Sequence, residues 1–314
     1  MKYRKLGNSG IDVSVVGHGT WLMGNDFFGD VDEKEAIKAL HASIDCGINL
    51  VDTAAGYGLN GESEITVGKA LVDRRDKVVL ATKTGVLRVH GGYVKCLDPA
   101  IMRAELEISL KRLQTDYIDL YFIHWPEYNN SLEVALETMV AFKKEGKIRA
   151  IGVSNFSIEE TQLAIDVADI AAVQPPLSLL DRSAMDSGLL SFCAKNNVAT
   201  TTYGSLGGGI LAGRAEALPI GGNELRGAFY GYYAEPMLSK CRELLTHLGK
   251  IADARGVSVA EVSIGWALAQ EGVTTALVGS QKPEKIAQNA KAADLELTAE
   301  ELAGIEAEYK RIMG

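Results

Sequence analysis

Short apolar β-like runs alternate with helical periods along this chain, and that alternation restricts the fold more than any other feature of the sequence. The runs lie at 15–17, 49–52, 78–82, 118–123, 148–153, 170–173, 198–202 and 276–278. Between them, apolar residues recur at helical spacing over 33–46, 64–72, 99–113, 131–144, 158–167, 184–195, 237–255 and 259–269. Strands apolar on both faces, each followed by a helix, predict a parallel sheet covered all round and closed on itself. The expected fold is therefore α/β, a (β/α)8 TIM barrel, for which about 250 residues plus insertions is usual. An open doubly wound sheet competes, but no GxGxxG stands between the first run and the first helix.

Local signals support the helices. Pro99 in "DPAIMRAE" sits at a first helical turn, "SLEVALE" and "SIEETQL" open with Ser and early glutamates, and Gly146 in "KKEGKIRA" is a helix stop. "YRKLGNSGIDVSVV" predicts a β-hairpin turned at residues 8–10, placed to plug the barrel's bottom. "TAEELAGIEAEYKRI" predicts a capped extra helix at the C-terminus. No Pro/Ser-rich linker divides the chain, so residues 1–314 are read as one domain.

Composition excludes several classes of partner. The net charge of −9 and the lack of any basic run argue against nucleic acid or an anionic membrane. No stretch approaches the roughly 18 apolar residues of a membrane span. "MKYRKLGNSG" lacks the apolar core of a signal peptide. Cys46, Cys96, Cys193 and Cys241 are scattered and suit reduced thiols in the cytoplasm. Neither they nor the five histidines have metal-ligand spacing, so no metal is expected. Oligomeric state is not readable.

A barrel of this kind keeps its site at the C-terminal ends of the strands. Polar residues stand there in number: Asp52 after the second run, Lys83 after the third, His124 after the fourth, Ser154 and Asn155 after the fifth, Gln174 after the sixth and Tyr203 after the seventh. Tyr57 follows Asp52 in a Gly-rich loop. Singly, Asp52 reads equally as a helix cap, Tyr57 as a loop aromatic and His124 as a core histidine. Together, an acid, a phenol, an ammonium and an imidazole suit carbonyl reduction. A phenol titrating near 10 is a poor acid at pH 7, and an adjacent ammonium is expected to lower it. The aspartate offsets the cost of burying the lysine, and the histidine orients a carbonyl oxygen.

The segments "LVDTAAGYGLNGESEITVGKAL", "LATKTG", "YIDLYFIHWP", "KIRAIGVSNFS" and "LVGSQKPEKIAQN" resemble the signature segments of the aldo-keto reductases, in order and spacing, over nearly the whole chain. The resemblance implies an NADP(H)-dependent oxidoreductase acting on a small carbonyl or alcohol, with NAD(H) as the alternative coenzyme. It implies Tyr57 as proton donor, Lys83 as its partner, Asp52 as counter-ion and His124 as the carbonyl-orienting group. Ser154, Asn155 and Gln174 match groups that hold the nicotinamide carboxamide, and Tyr203 matches the aromatic under its ring. Gly204, Ser205, Leu206 and Gly208 belong to the loop matched to the pyrophosphate.

At the adenosine end, Gly279, Ser280, Gln281, Lys285, Gln288 and Asn289 match the segment around the 2′-phosphate. The family's frequent basic residue is Gly279 here, Gln281 stands where arginine is common, and Lys282 compensates as a point charge. Leu177 replaces a usual aromatic. Expected substrate walls are Trp21, Phe27 or Phe28, Tyr93, Trp125, Phe229 and Tyr230, suited to uncharged carbonyls. The Gly-rich loop over 213–233, with Arg226 turned to phosphate, is expected to close over coenzyme. Three other readings stay open: a sugar or alcohol dehydrogenase, a Schiff-base lyase using Lys83, and a non-catalytic coenzyme-binding subunit.

Overall fold

The computed structural model describes residues 1–24, 30–90, 92–213 and 230–314. The chain opens with an antiparallel hairpin, β1 (Tyr3–Lys5) and β2 (Asp12–Ser14), and enters the barrel through β3 (Val16–Gly19). Then come α1 (Glu33–Asp45), β4 (Leu50–Asp52), α2 (Glu62–Leu71) and β5 (Val79–Thr84). A second hairpin, β6 (Val86–Val89) with β7 (Gly92–Lys95), intervenes before α3 (Pro99–Leu113) and β8 (Ile118–Ile123). The pattern continues through α4 (Leu132–Lys144), β9 (Ile148–Ser154), α5 (Ile158–Val167) and β10 (Ile170–Gln174). Next are α6 (Ser183–Asp186), α7 (Leu189–Lys195) and β11 (Ala199–Thr202). The chain finishes with α8 (Met237–Arg255), α9 (Val259–Leu268), β12 (Thr275–Val278), α10 (Pro283–Ala290) and α11 (Ala299–Met313).

Eight of these strands close into a barrel in the order β10-β11-β12-β3-β4-β5-β8-β9, all in parallel register. The (β/α)8 expectation stands. Every residue of β5 and β8 is buried, because one face fills the barrel and the other meets the helices. The first hairpin seals the bottom: Leu6, Ile11 and Val13 pack with Leu50, Leu120, Phe122 and Leu277 in one cluster. The extra C-terminal helix α11 begins at a Thr298–Glu301 capping box and buries Ile305 and Ile312.

Three departures from the sequence reading have local causes. The helix expected over 184–195 splits into α6 and α7, because Gly188 takes a left-handed φ of 84° that interrupts the i→i−4 ladder. Strand β3 runs on through His18 and Gly19, held between β12 and β4 by ladder pairs His18↔Val278 and Gly19↔Asp52. The hairpin of β6 and β7 is absent from the sequence reading, which took the stretch carrying Tyr93 as a loop after the third strand.

Candidate active site

Asp52 ends β4, and the next strand brings Lys83 up beside it. The Lys83 ammonium donates to Asp52 Oδ1 at 2.6 Å, to the Thr53 carbonyl at 2.8 Å and to Tyr57 Oη at 3.1 Å. Its three protons therefore have three acceptors, which is how a lysine only 1% exposed keeps its charge. On the outer face of β5, Thr82 and Thr84 each donate at 2.7 Å, to buried Glu64 of α2 and Glu105 of α3. The strand carrying Lys83 is thus pinned to the helix that follows the Tyr57 loop.

Tyr57 lies in the turn between β4 and α2. Its ring stacks on Trp21 at 6.1 Å and 29°, meets His124 edge-on at 5.8 Å, and has the Lys83 ammonium 4.8 Å from its centroid. His124, one residue past β8, is fixed through its backbone N–H to the Thr84 carbonyl at 2.9 Å. Burial holds its imidazole well below the ordinary 6.5, and the charges of Lys83 and Lys95 push the same way, so it is neutral at pH 7.

The expected lowering of Tyr57 by the ammonium is not what the structure shows. Burial first, then the Asp52 carboxylate, hold the phenol well above its ordinary 10. Lys83 itself is pushed down by burial while Asp52 pulls it back up. Because Asp52 neutralises Lys83, the phenol meets an ion pair, not an isolated cation.

A polar chain continues round the rim. Gln174 Nε2 donates to Asp52 Oδ2 at 2.9 Å, and Ser154 Oγ donates to the Gln174 carbonyl at 2.9 Å. The Asn155 amide donates to the His124 carbonyl and to Ser154 Oγ, both at 3.0 Å, and accepts from Tyr203 Oη at 2.8 Å. Asn155 sits at a left-handed φ of 61°, which asparagine tolerates. Leu177 is fully buried, and its N–H donates to the Tyr203 carbonyl at 2.9 Å, tying the backbone there to the strand end.

Two cavities meet at Tyr57, Trp21 and Tyr203. The first is a groove of about 380 Å³ that runs from Asp52 past Gly204, Ser205, Leu206 and Gly208 to Gly279, Ser280, Gln281 and Lys282. The second is a chamber of about 300 Å³ walled by Trp21, Tyr93, Trp125, His124 and Lys95, with Ser154, Asn155 and Gln174 at its floor. The expected walls Trp21, Tyr93 and Trp125 thus line the chamber, whereas Tyr230 lines the groove. Phe27, Phe28, Arg226 and Phe229 lie outside the described residues.

The adenosine-end residues divide. Ser280 and Gln281 line the groove, but Lys285 is exposed and lines neither cavity. Gln288 lines a separate cavity of about 700 Å³, which shares Ala212 with the groove, and Asn289 is buried at 6% exposure. Pro283 starts α10 immediately after Lys282, so Lys285, Gln288 and Asn289 stand on that helix. The Ser205 hydroxyl is committed to the Leu277 carbonyl at 3.1 Å. Gly279 is closely packed: a Cβ there would stand 2.5 Å from Leu22 Cδ1 and 3.0 Å from the Gly19 carbonyl, so a larger side chain requires the Leu22 side chain to shift.

Two residues escaped the sequence reading. His18, fully buried at the end of β3, contacts the Ser280 carbonyl through Nε2 at 3.2 Å and so braces the Ser280–Lys282 turn. Lys95 reaches the chamber from the end of β7. His18 carried the signal that singled out Asp52, a polar residue closing an apolar run.

A neutral phenol beside a buried ion pair and a neutral imidazole, at the mouth of a parallel barrel, is equipped to give a proton to a polarised oxygen. A family model described as the Aldo/keto reductase family matches residues 15–310. The aldo-keto reductase YhdN of Bacillus subtilis (strain 168) is 40% identical over 290 residues, covering 91% of this chain and 87% of that protein. Among solved structures, the glycerol dehydrogenase AKR11B4 from Gluconobacter oxydans superposes with a TM-score of 0.90 at 33% identity, covering 99% of this chain and 95% of that one. An aldo/keto reductase from Klebsiella pneumoniae, solved in complex with NADP and acetate, gives a TM-score of 0.78 at 30% identity, over 98% and 96% of the two chains. This chain belongs to the aldo/keto reductase family and is an oxidoreductase of that class.

Proposed function

We propose that the protein is an NADP(H)-dependent reductase of small aldehydes, ketones or sugars, with Tyr57 as its proton donor. The observation that carries this is the Lys83 ammonium, which touches Asp52 and Tyr57 together at 2.6 and 3.1 Å.

The groove fits a nicotinamide dinucleotide. Glycines 204, 208, 209 and 279 present backbone along it, and a Cβ at Gly204 would meet nothing within 4 Å. Gln174 Oε1 accepts no hydrogen bond from the described residues, so it is free to take one from a carboxamide. Asn155 and Ser154 serve the same group, with the Tyr203 ring beneath it. When bound, the reduced coenzyme supplies the hydride. Among the described lining residues Lys282 is the cation of the groove, near Ser280 and Gln281, and it is the reason for preferring the 2′-phosphorylated form. The glycine at 279, which leaves that position without a basic side chain, favours NAD(H) as the second reading.

The residues divide the remaining work. Neutral His124 donates a hydrogen bond to the substrate oxygen and orients it. Tyr57 Oη then transfers its proton to that oxygen, and the phenolate it leaves is stabilised by Lys83 at 3.1 Å. Asp52 keeps Lys83 in its ammonium form for that purpose, which also weighs against a Schiff base on Lys83. The four cysteines are free, and among the described residues no helix is long and apolar enough to cross a membrane; we place the enzyme in the cytoplasm on that basis. Fluorescence titration with NADPH and NADH, followed by turnover of an aldehyde panel, tests the proposal. Saturable binding of one coenzyme on the order of micromolar or tighter is expected. Binding of neither removes the hydride-transfer reading.

A further inference from the structure

We infer that the chamber selects carbonyl substrates carrying an anionic group, a carboxylate or a phosphate, with Lys95 as the cation that recognises it. This rests on the reductase reading above.

The hairpin of β6 and β7 leaves the barrel just after Gly85 and returns with Lys95 as its last residue. Lys95 lines the chamber together with Tyr57, His124 and Trp125, and it is the only formally charged side chain among the described lining residues apart from the titratable histidine. Its ammonium sits 4.4 Å from the centroid of the Trp125 ring. An indole face is a weak partner for a lysine at a wet site, on the order of 0.5–1 kcal/mol.

Among the described residues no carboxylate pairs with Lys95. The acid of the adjoining loop, Glu127, is spent elsewhere. Its Oε2 accepts from the Asn130 side chain at 2.9 Å and from the Leu97 N–H at 3.4 Å, and its Oε1 accepts from the Asn129 N–H. Glu127 therefore fixes the stretch just beyond Lys95 without neutralising it. The positive field of Lys95 reaches the reacting end of the chamber, where it helps keep His124 neutral. The expectation of an uncharged substrate was drawn from the aromatic walls alone. Lys95, which has no carboxylate partner among the described residues, reverses it, because an anion placed there gains a favourable opposite charge.

Matched substrate pairs test the inference. Succinic semialdehyde against butyraldehyde isolates the carboxylate, and glyceraldehyde 3-phosphate against glyceraldehyde isolates the phosphate. Wild-type kcat/KM is expected to favour the anionic member of at least one pair by about tenfold at low ionic strength, with the gap narrowing as salt is raised. Lys95→Gln should remove that preference by lowering kcat/KM for the anionic member about tenfold more than for its neutral partner, and Lys95→Arg should retain it. Which pair shows the gap identifies the anion. Equal handling of both members of each pair by the wild type overturns the inference, as does a Lys95→Gln variant that slows neutral and anionic substrates by one common factor. Absence of turnover for all four overturns the reductase reading and the inference with it.

Discussion

Lys83 and Asp52 form an ion pair at 2.6 Å with side chains 0% and 4% exposed, so both charges are almost wholly withdrawn from solvent. Removing one partner strands the other. Asp52→Asn should lower the unfolding free energy by about 3–5 kcal/mol in urea titrations, and adding Lys83→Met in that background should recover most of the loss. A loss below about 1 kcal/mol would show that the pair is dispensable to the fold.

The pH profile follows from the neighbours of the same pair. Burial and Asp52 hold Tyr57 well above 10, and burial with Lys83 and Lys95 holds His124 well below 6.5. Both groups therefore keep their working protonation states between those two ordinary values. The kcat for carbonyl reduction should be flat from about pH 7 to 9. A basic limb in that range would show that Lys83 does lower the phenol in the working complex.

Most strand ends were legible because the apolar runs from the second to the seventh stop at a polar residue that packing alone does not require. Asp52, Lys83, His124, Gln174 and Tyr203 were all found that way. What the sequence hides is three-dimensional. The protonation of Tyr57 depends on burial and on the balance between Asp52 and Lys83, which spacing does not report. Lys285 and Gln288 matched a motif, yet they stand on α10 and are not among the residues that line the groove. Lys95 was unreadable because the β6–β7 hairpin that delivers it resembles a loop, whereas His18 carried a readable signal at the end of its apolar run.

Lys282 should report on coenzyme choice. Lys282→Gln is expected to weaken NADPH binding by about tenfold and to leave NADH binding within about twofold, since a phosphate contact is a local charge interaction. Fluorescence titration of both coenzymes with both proteins reads this. Equal losses for the two coenzymes would place Lys282 outside the 2′-phosphate contact.

His18 gives a stability signature in acid. Burial pushes its imidazole from 6.5 down to about 4, with the Ser280 carbonyl opposing weakly. Between those values the unfolded chain takes up a proton that the folded chain refuses. Stability is therefore full above 6.5, falls as pH drops towards 4, and levels off below it, with a contribution on the order of 3 kcal/mol. His18→Gln should flatten the pH dependence of unfolding across that window relative to wild type. Parallel curves for the two proteins would mean that His18 titrates normally.

Tyr57→Phe removes one oxygen from the site and leaves the groove, the ion pair and the histidine in place. Steady-state kcat and coenzyme dissociation constants should be measured on the variant and the wild type with one good aldehyde. The expected result is a fall in kcat of about 10²- to 10⁴-fold with coenzyme affinity unchanged within a few-fold. Wild-type turnover by the variant would contradict the assignment of the proton donor and send the search for it to another group in the chamber.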